Sequence, residues 1–184
     1  HKMRIKYSLI IQLFLVSFHL HSQKLNDDGI EYLDDEIWQQ GQVLGSSLDF
    51  EGLIDINGVP LSKDEYSDKI VVVKFWFIGC RGCKQEEEYI KEVTDHFSDQ
   101  SKVNFVSISM SSGNRIVKYY EKNGDSGYRT VSMKRKEIED RYKVRTSPTH
   151  WFFKNGQLVD KIIGPIYSPA AKEWMISYIT ELQM

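Results

Sequence analysis

The segment KIVVVKFWF (69–77) runs straight into Ile78-Gly79-Cys80-Arg81-Gly82-Cys83, and a stretch of helical spacing follows at once. A near-continuous run of β-branched and aromatic residues suits a strand buried on both faces. A Cys-x-x-Cys that ends such a strand and opens a helix has a physical meaning. The first turn of a helix leaves backbone N–H groups unpaired, and the macrodipole adds partial positive charge there. A thiol at that point ionises more readily, and the thiolate is the nucleophile. Cys80, ahead of the helix, is expected to be exposed and to attack. Cys83, one turn further in, can reach back and resolve a mixed disulfide. Arg81 adds a neighbouring positive charge.

Glu86 shares a helical face with Ile90, Val93 and Phe97, and Cys83 joins the same stripe. A carboxyl facing the core beside a buried thiol is expected to have a raised pKa and to relay the proton of Cys83. The bland reading is a first-turn acid serving the helix dipole, like Glu87 and Glu88. On the relay reading, Glu86→Gln slows exchange while stability holds or rises.

A purely structural disulfide is disfavoured by the spacing, because closing so short a loop contributes only about 2 kcal/mol. A closed zinc site needs four ligands. Beyond residue 22 the chain offers no further cysteine and only His96 and His150, each read as a solvated or satisfied histidine. Lys84 after Cys83 breaks the pattern of c-type haem attachment. No organic cofactor or metal is expected, only the Cys80–Cys83 redox pair.

The first 22 residues are ordered as a secretory signal: basic Arg4 and Lys6, the apolar run YSLIIQLFLVSFHL (7–20), then small Ser22. The run is short for a membrane span. Residues 1–22 are therefore expected to be a signal peptide, with membrane attachment only if it stays uncleaved. The expected location is the periplasm or an equivalent exported compartment. Cleavage removes Lys2, Arg4 and Lys6 and no acid, so 24 basic residues become 21 against 26 acidic ones, a net charge of about −5. That argues against nucleic acid, whose phosphates ask for a basic face. The cluster Lys134-Arg135-Lys136, followed by Glu137, Glu139 and Asp140, reads as a solvated helix face.

Residues 23–47 read as an acidic extension with one short helix at most. Residues 48–184 read as one domain with the order β-β-α-β-α-(β)-α-β-β-α. Asn57-Gly58 and Asn155-Gly156 mark hairpin turns. Ser147-Pro148-Thr149 precedes the strand 150–154.

These residues together resemble the thioredoxin superfamily, and within it the TlpA/ResA-like extracytoplasmic oxidoreductases. The resemblance rests on LIDINGVPLS (53–62), VVVKFWFIGCRGC (71–83), Glu86, Ser147-Pro148-Thr149 and the hairpin THWFFKNGQLVDKIIG (149–164), and covers roughly residues 48–183. It implies an α/β, thioredoxin-like fold: a central mixed sheet flanked by helices, with an N-terminal β-hairpin. It implies a cis Pro148 lying against the redox pair. It also implies thiol–disulfide oxidoreductase activity on protein thiols and disulfides, in the service of cell redox homeostasis. Catalysis would fall to Cys80, Cys83 and Glu86, and substrate binding to Trp76, Arg81, Gly82, Ser147 and Pro148. An upstream redox partner and a monomeric state complete the expectation. Two alternatives stand beside it: a non-catalytic module that holds a peptide or protein in the same groove, and a thiol peroxidase. Peroxide chemistry on this fold places Pro and Thr shortly before the reactive cysteine, and residues 71–79 have neither. The chain departs from the family in Gly82, where proline is usual, in Gly79 for an aromatic, and in Glu88, where many relatives have a helix-kinking proline. Lys74 stands where thioredoxin carries a buried acid.

Overall fold

The computed structural model describes residues 40–184, together with the backbone of two short segments before them. Those segments, β1 (Gln23–Lys24) and β2 (Glu31–Tyr32), pair antiparallel. The expected signal peptide, and most of the extension, lie outside the described residues. The rest of the chain forms α1 (Lys63–Tyr66), β3 (Ile70–Trp76), α2 (Arg81–Gln85), α3 (Glu87–His96), β4 (Val103–Ser109), α4 (Gly113–Asn123), β5 (Arg129–Ser132), α5 (Arg135–Tyr142), β6 (Thr149–Lys154), β7 (Gln157–Ile163) and α6 (Pro169–Leu182).

The sheet order is β5-β4-β3-β6-β7, with β3, β4 and β5 parallel and β6 and β7 antiparallel to their neighbours. This is the expected mixed sheet. Side chains alternate across β3, so its two faces feed two cores. Val71, Val73 and Phe75 pack with Trp151, Phe153 and with Ile138 and Tyr142 of α5. Ile70 and Val72 pack on the other face with Ile90 and Val93 of α3 and with Met175 and Ile179 of α6. Every residue of β3 is buried, as its apolar run predicts.

Three elements differ from the sequence reading. The helix expected over 83–97 is divided at Glu86. The bonds Glu86 N–H to Gly82 O and Ile90 N–H to Glu86 O carry across the division, so α2 and α3 form one bent unit. The hairpin at Asn57-Gly58 is reduced to a single antiparallel bridge, Ile54 to Pro60. The bonds Asp55 N–H to Val59 O and Leu61 N–H to Leu53 O flank that bridge, and within the turn the Asp55 carboxylate accepts from the N–H groups of Asn57 and Val59. Arg129 clamps the turn by donating to Asp55 and to the carbonyls of Val59 and Pro60. The four-residue α1 is too short to leave a periodic signal in the sequence.

Register places four polar residues in one row across the sheet. Lys74 lies opposite His150 on β6 and Ser107 on β4, and Ser107 lies opposite Thr130 on β5. All four are buried. Facing residues of adjacent strands share a side of the sheet, so this row lies on the side of α3 and α6, beneath the start of α2.

Candidate active site

Cys80 is the N-cap of α2, in extended backbone, and its sulfur accepts the Cys83 N–H at 3.1 Å. The two cysteines are joined by a disulfide. The Ser147 carbonyl oxygen lies 3.6 Å from Cys80 Sγ, and the Ser147–Pro148 peptide is cis, as the resemblance implies. Cys80 was expected to be exposed, and it is not: it is 6% exposed against 3% for Cys83. The cause is packing, since the loop 147–148 covers one side and Trp76 and Ile116 form the floor. The pair nonetheless borders a surface cavity of about 390 Å³ lined by Trp76, Phe77, Arg81, Tyr119 and Asn123.

Of the expected substrate-binding residues, the structure brings Trp76, Arg81, Gly82, Ser147 and Pro148 around the cysteines. Trp76 is buried and donates its indole N–H to Ser107 Oγ at 3.2 Å. Its ring stacks on Tyr120, which bonds Thr130, so the aromatic floor is fixed to the polar row. Arg81 is exposed at the rim. A Cβ built on Gly82 would lie 3.0 Å from Pro148 Cδ. The missing side chain is what lets the loop 147–148 approach the helix start, so glycine here answers a close approach rather than a need for slack.

Glu86 is fully buried on the face of Ile90, Val93 and Phe97, as its spacing predicts. Its environment differs from expectation. Lys74 Nζ lies 2.9 Å from Oε1 and pairs with it by charge, off the line of an aligned hydrogen bond. Oε2 lies 3.0 Å from His150 Nε2 and accepts the Ile166 N–H at 3.0 Å. The expected rise in pKa is therefore corrected. Burial pushes the carboxyl up, but the Lys74 and His150 partners outweigh it and hold Glu86 below the usual glutamate value. His150, read as a satisfied or solvated histidine, is fully buried and only half satisfied: Nε2 pairs with Glu86, and Nδ1 has no hydrogen-bond partner among the described residues. Among the described residues no three His, Cys, Asp or Glu side chains converge as metal ligands.

The sequence reading missed the Lys74–Glu86–His150 cluster. Its signal was Lys74 itself, a charge in the middle of a run that reads as buried on both faces.

The sequence pattern of the AhpC/TSA family matches residues 46–162. The chain belongs to this family. Proteins of known name or structure resemble the chain at modest identity. The thiol-disulfide oxidoreductase ResA of Oceanobacillus iheyensis is 26% identical over 114 residues, spanning 61% of this chain and 58% of that protein. A thioredoxin of Malassezia sympodialis is 27% identical over 97 residues, covering 53% of this chain and 70% of that one. Among solved structures, the thioredoxin domain of a thiol-disulfide oxidoreductase from Bacteroides vulgatus superposes with a TM-score of 0.60 at 20% identity, covering 75% of this chain and 99% of that one. A secreted Mycobacterium tuberculosis disulfide oxidoreductase gives 0.58 at 17% identity, covering 80% and 99%. This AhpC/TSA-family chain therefore has the thioredoxin-like fold.

Proposed function

We propose that this protein is an exported thiol–disulfide oxidoreductase that exchanges disulfides with protein substrates through a mixed disulfide on Cys80. The observation that carries the reading is the Cys80–Cys83 disulfide across a helix N-cap, with the Cys83 N–H aimed at Cys80 Sγ and the Ser147 carbonyl beside it.

In the reduced protein the Cys80 thiolate attacks one sulfur of a substrate disulfide. A Cys80–substrate bond forms, the substrate bond breaks, and the first substrate sulfur leaves as thiolate. The Cys83 thiolate then attacks Cys80 Sγ, the internal disulfide re-forms and the second substrate sulfur leaves. Two electrons pass from the protein to the substrate. The N–H of Cys83 and the helix N-terminus stabilise charge on Cys80. Run backwards, the same steps oxidise a substrate dithiol. Trp76, Phe77, Arg81 and Tyr119 border the cavity where an extended partner chain would lie. Glu86 acts as a positioning residue, holding Lys74 and the polar row beneath the pair.

Export is supported by the basic, apolar and small-residue order of residues 1–22. Among the described residues no helix is long and apolar enough to cross a membrane. An upstream dithiol in the same compartment would return electrons to the pair.

The test is reduction of insulin disulfides with dithiothreitol as electron donor. The wild-type chain accelerates it and Cys80→Ser does not. Full activity in Cys80→Ser removes Cys80 from its role, and no activity in wild type leaves a binding module with an inert pair.

A further inference from the structure

The exchange scheme leaves Lys74 unused, although its position costs free energy. A lysine in the central strand is stripped of water, and an apolar residue of similar volume would serve packing at least as well. Its buried carboxylate partner only balances that cost.

A cavity of about 350 Å³ runs inward from the mouth beside α2, and both Lys74 and Cys83 line it, with Trp76, Tyr120 and Ser126. Glu86 does not line it. The buried carboxylate lies behind the ammonium, which it holds at 2.9 Å, and makes its other contacts to His150 and Ile166 on the far side. Lys74 is the buried cation that shares this cavity with the resolving sulfur, whereas Lys84 and Lys91, which also line it, are exposed. Lys74 and Cys83 are both buried beside Trp76, so the field of the ammonium there is less screened than that of the exposed charges at the mouth.

We propose that Lys74 is the electrostatic partner of Cys83, its ammonium stabilising the Cys83 thiolate both when the internal disulfide opens and when the mixed disulfide is resolved. This rests on the assignment of Cys83 as the resolving sulfur. On opening, an incoming thiolate bonds to Cys80 Sγ, the Cys80–Cys83 bond breaks, and Cys83 leaves with the electron pair. The charge of Lys74 favours that leaving group. No proton moves at Lys74; solvent protonates Cys83 through the cavity. On resolution the same charge keeps Cys83 in its nucleophilic form.

The groups facing Lys74 are Glu86 from the end of α2, His150 from β6, Tyr120 from α4 and Tyr128 from the turn before β5; the ammonium lies 6.0 Å from the Tyr128 ring centre. At the mouth Lys84 pairs with Glu87 and Lys91 with Asp95, while Glu88 and Asp125 are exposed to screening solvent.

The experiment follows reaction of the reduced full chain with 5,5′-dithiobis(2-nitrobenzoate). The first release of chromophore reports attack by Cys80 and the second reports resolution by Cys83. Lys74→Met is combined with Glu86→Gln so that no lone charge is buried. Expected is an unchanged first release and a second release slowed about tenfold at neutral pH, its pH midpoint raised by about one unit. Lys74→Arg restores part of the rate. A double variant with the wild-type second phase and midpoint overturns the proposal. A measurement independent of that variant's folding is thiolate absorbance in Cys80→Ser, where Lys74 is intact. The Cys83 midpoint is expected below the ordinary cysteine value of about 8.5, and a midpoint at or above it overturns the proposal. Failure of the underlying scheme shows separately, as a second release that survives Cys83→Ala.

Discussion

Glu86 has one oxygen against an ammonium and the other against an imidazole and a backbone N–H. Replacing it by glutamine leaves Lys74 buried without its counter-charge. Breaking a buried pair from one side is costly, so Glu86→Gln should lose about 3 kcal/mol at neutral pH, in contrast to the neutral or favourable effect that an unpaired core acid would give. Urea unfolding at pH 7 checks this, and a variant as stable as wild type would mean that the pair contributes nothing. The pH dependence has a definite sign. The folded pKa of Glu86 lies below its ordinary value of 4.5. Its contribution is therefore fully present above about pH 4.5 and is lost as pH falls through the lower, folded value. Wild type should lose stability steeply below pH 4.5, and Glu86→Gln should lose less over the same range. Parallel curves would contradict the assigned direction.

At the scale of elements, the junction of β3, α2 and the loop 147–148 sets the site. Gly82 makes the close approach possible, because a Cβ there would meet Pro148 Cδ at 3.0 Å and Pro165 beyond it. Pro148 is buried and its ring has no rotamer to move aside. Gly82→Ala is thus expected to destabilise by about 1–2 kcal/mol, overpacking outweighing the better helix propensity of alanine. A thermal melt of the oxidised protein checks it, and a higher melting temperature would show that the loop yields freely. Much at this scale was legible from residues alone. The run 69–77 gave β3, Asn155-Gly156 gave the β6–β7 turn, and the spacing of Ile90, Val93 and Phe97 gave the buried face of α3. The division at Glu86 was not, because helical spacing counts residues and does not register a side chain drawn inward by a lysine on another strand. The partnership of Lys74, Glu86 and His150 spans 76 positions in sequence and is created by strand register, which no local pattern carries.

At the scale of the whole molecule, two buried carboxyls pull stability in opposite directions with pH. Asp160 on β7 is pushed up to about 6 by burial, partly offset by its bonds to the Lys161 N–H and to Tyr178 of α6. A raised carboxyl pKa favours the fold most below the unfolded value of 3.8, and that benefit is lost as pH rises through about 6. Asp160 therefore favours the fold on acidification from pH 6 to 4, while Glu86 begins to oppose it below 4.5. The acid side of the stability curve should peak near pH 4.5. Asp160→Asn should flatten the slope between pH 4 and 7, by on the order of 2 kcal/mol, in urea titrations at each pH. An unchanged slope would take Asp160 out of the account. The fold, the family and the redox pair bear jointly on one central claim, that Cys80 forms a covalent bond to substrate and Cys83 releases it. The most direct measurement is trapping with Cys83→Ala in cells, followed by mass spectrometry of what is disulfide-linked to the chain. The account predicts partner proteins joined through Cys80, released by dithiothreitol and absent when Cys80 is also replaced by serine. A Cys83→Ala chain that carries no mixed disulfide, with its Cys80 thiol free, would contradict it.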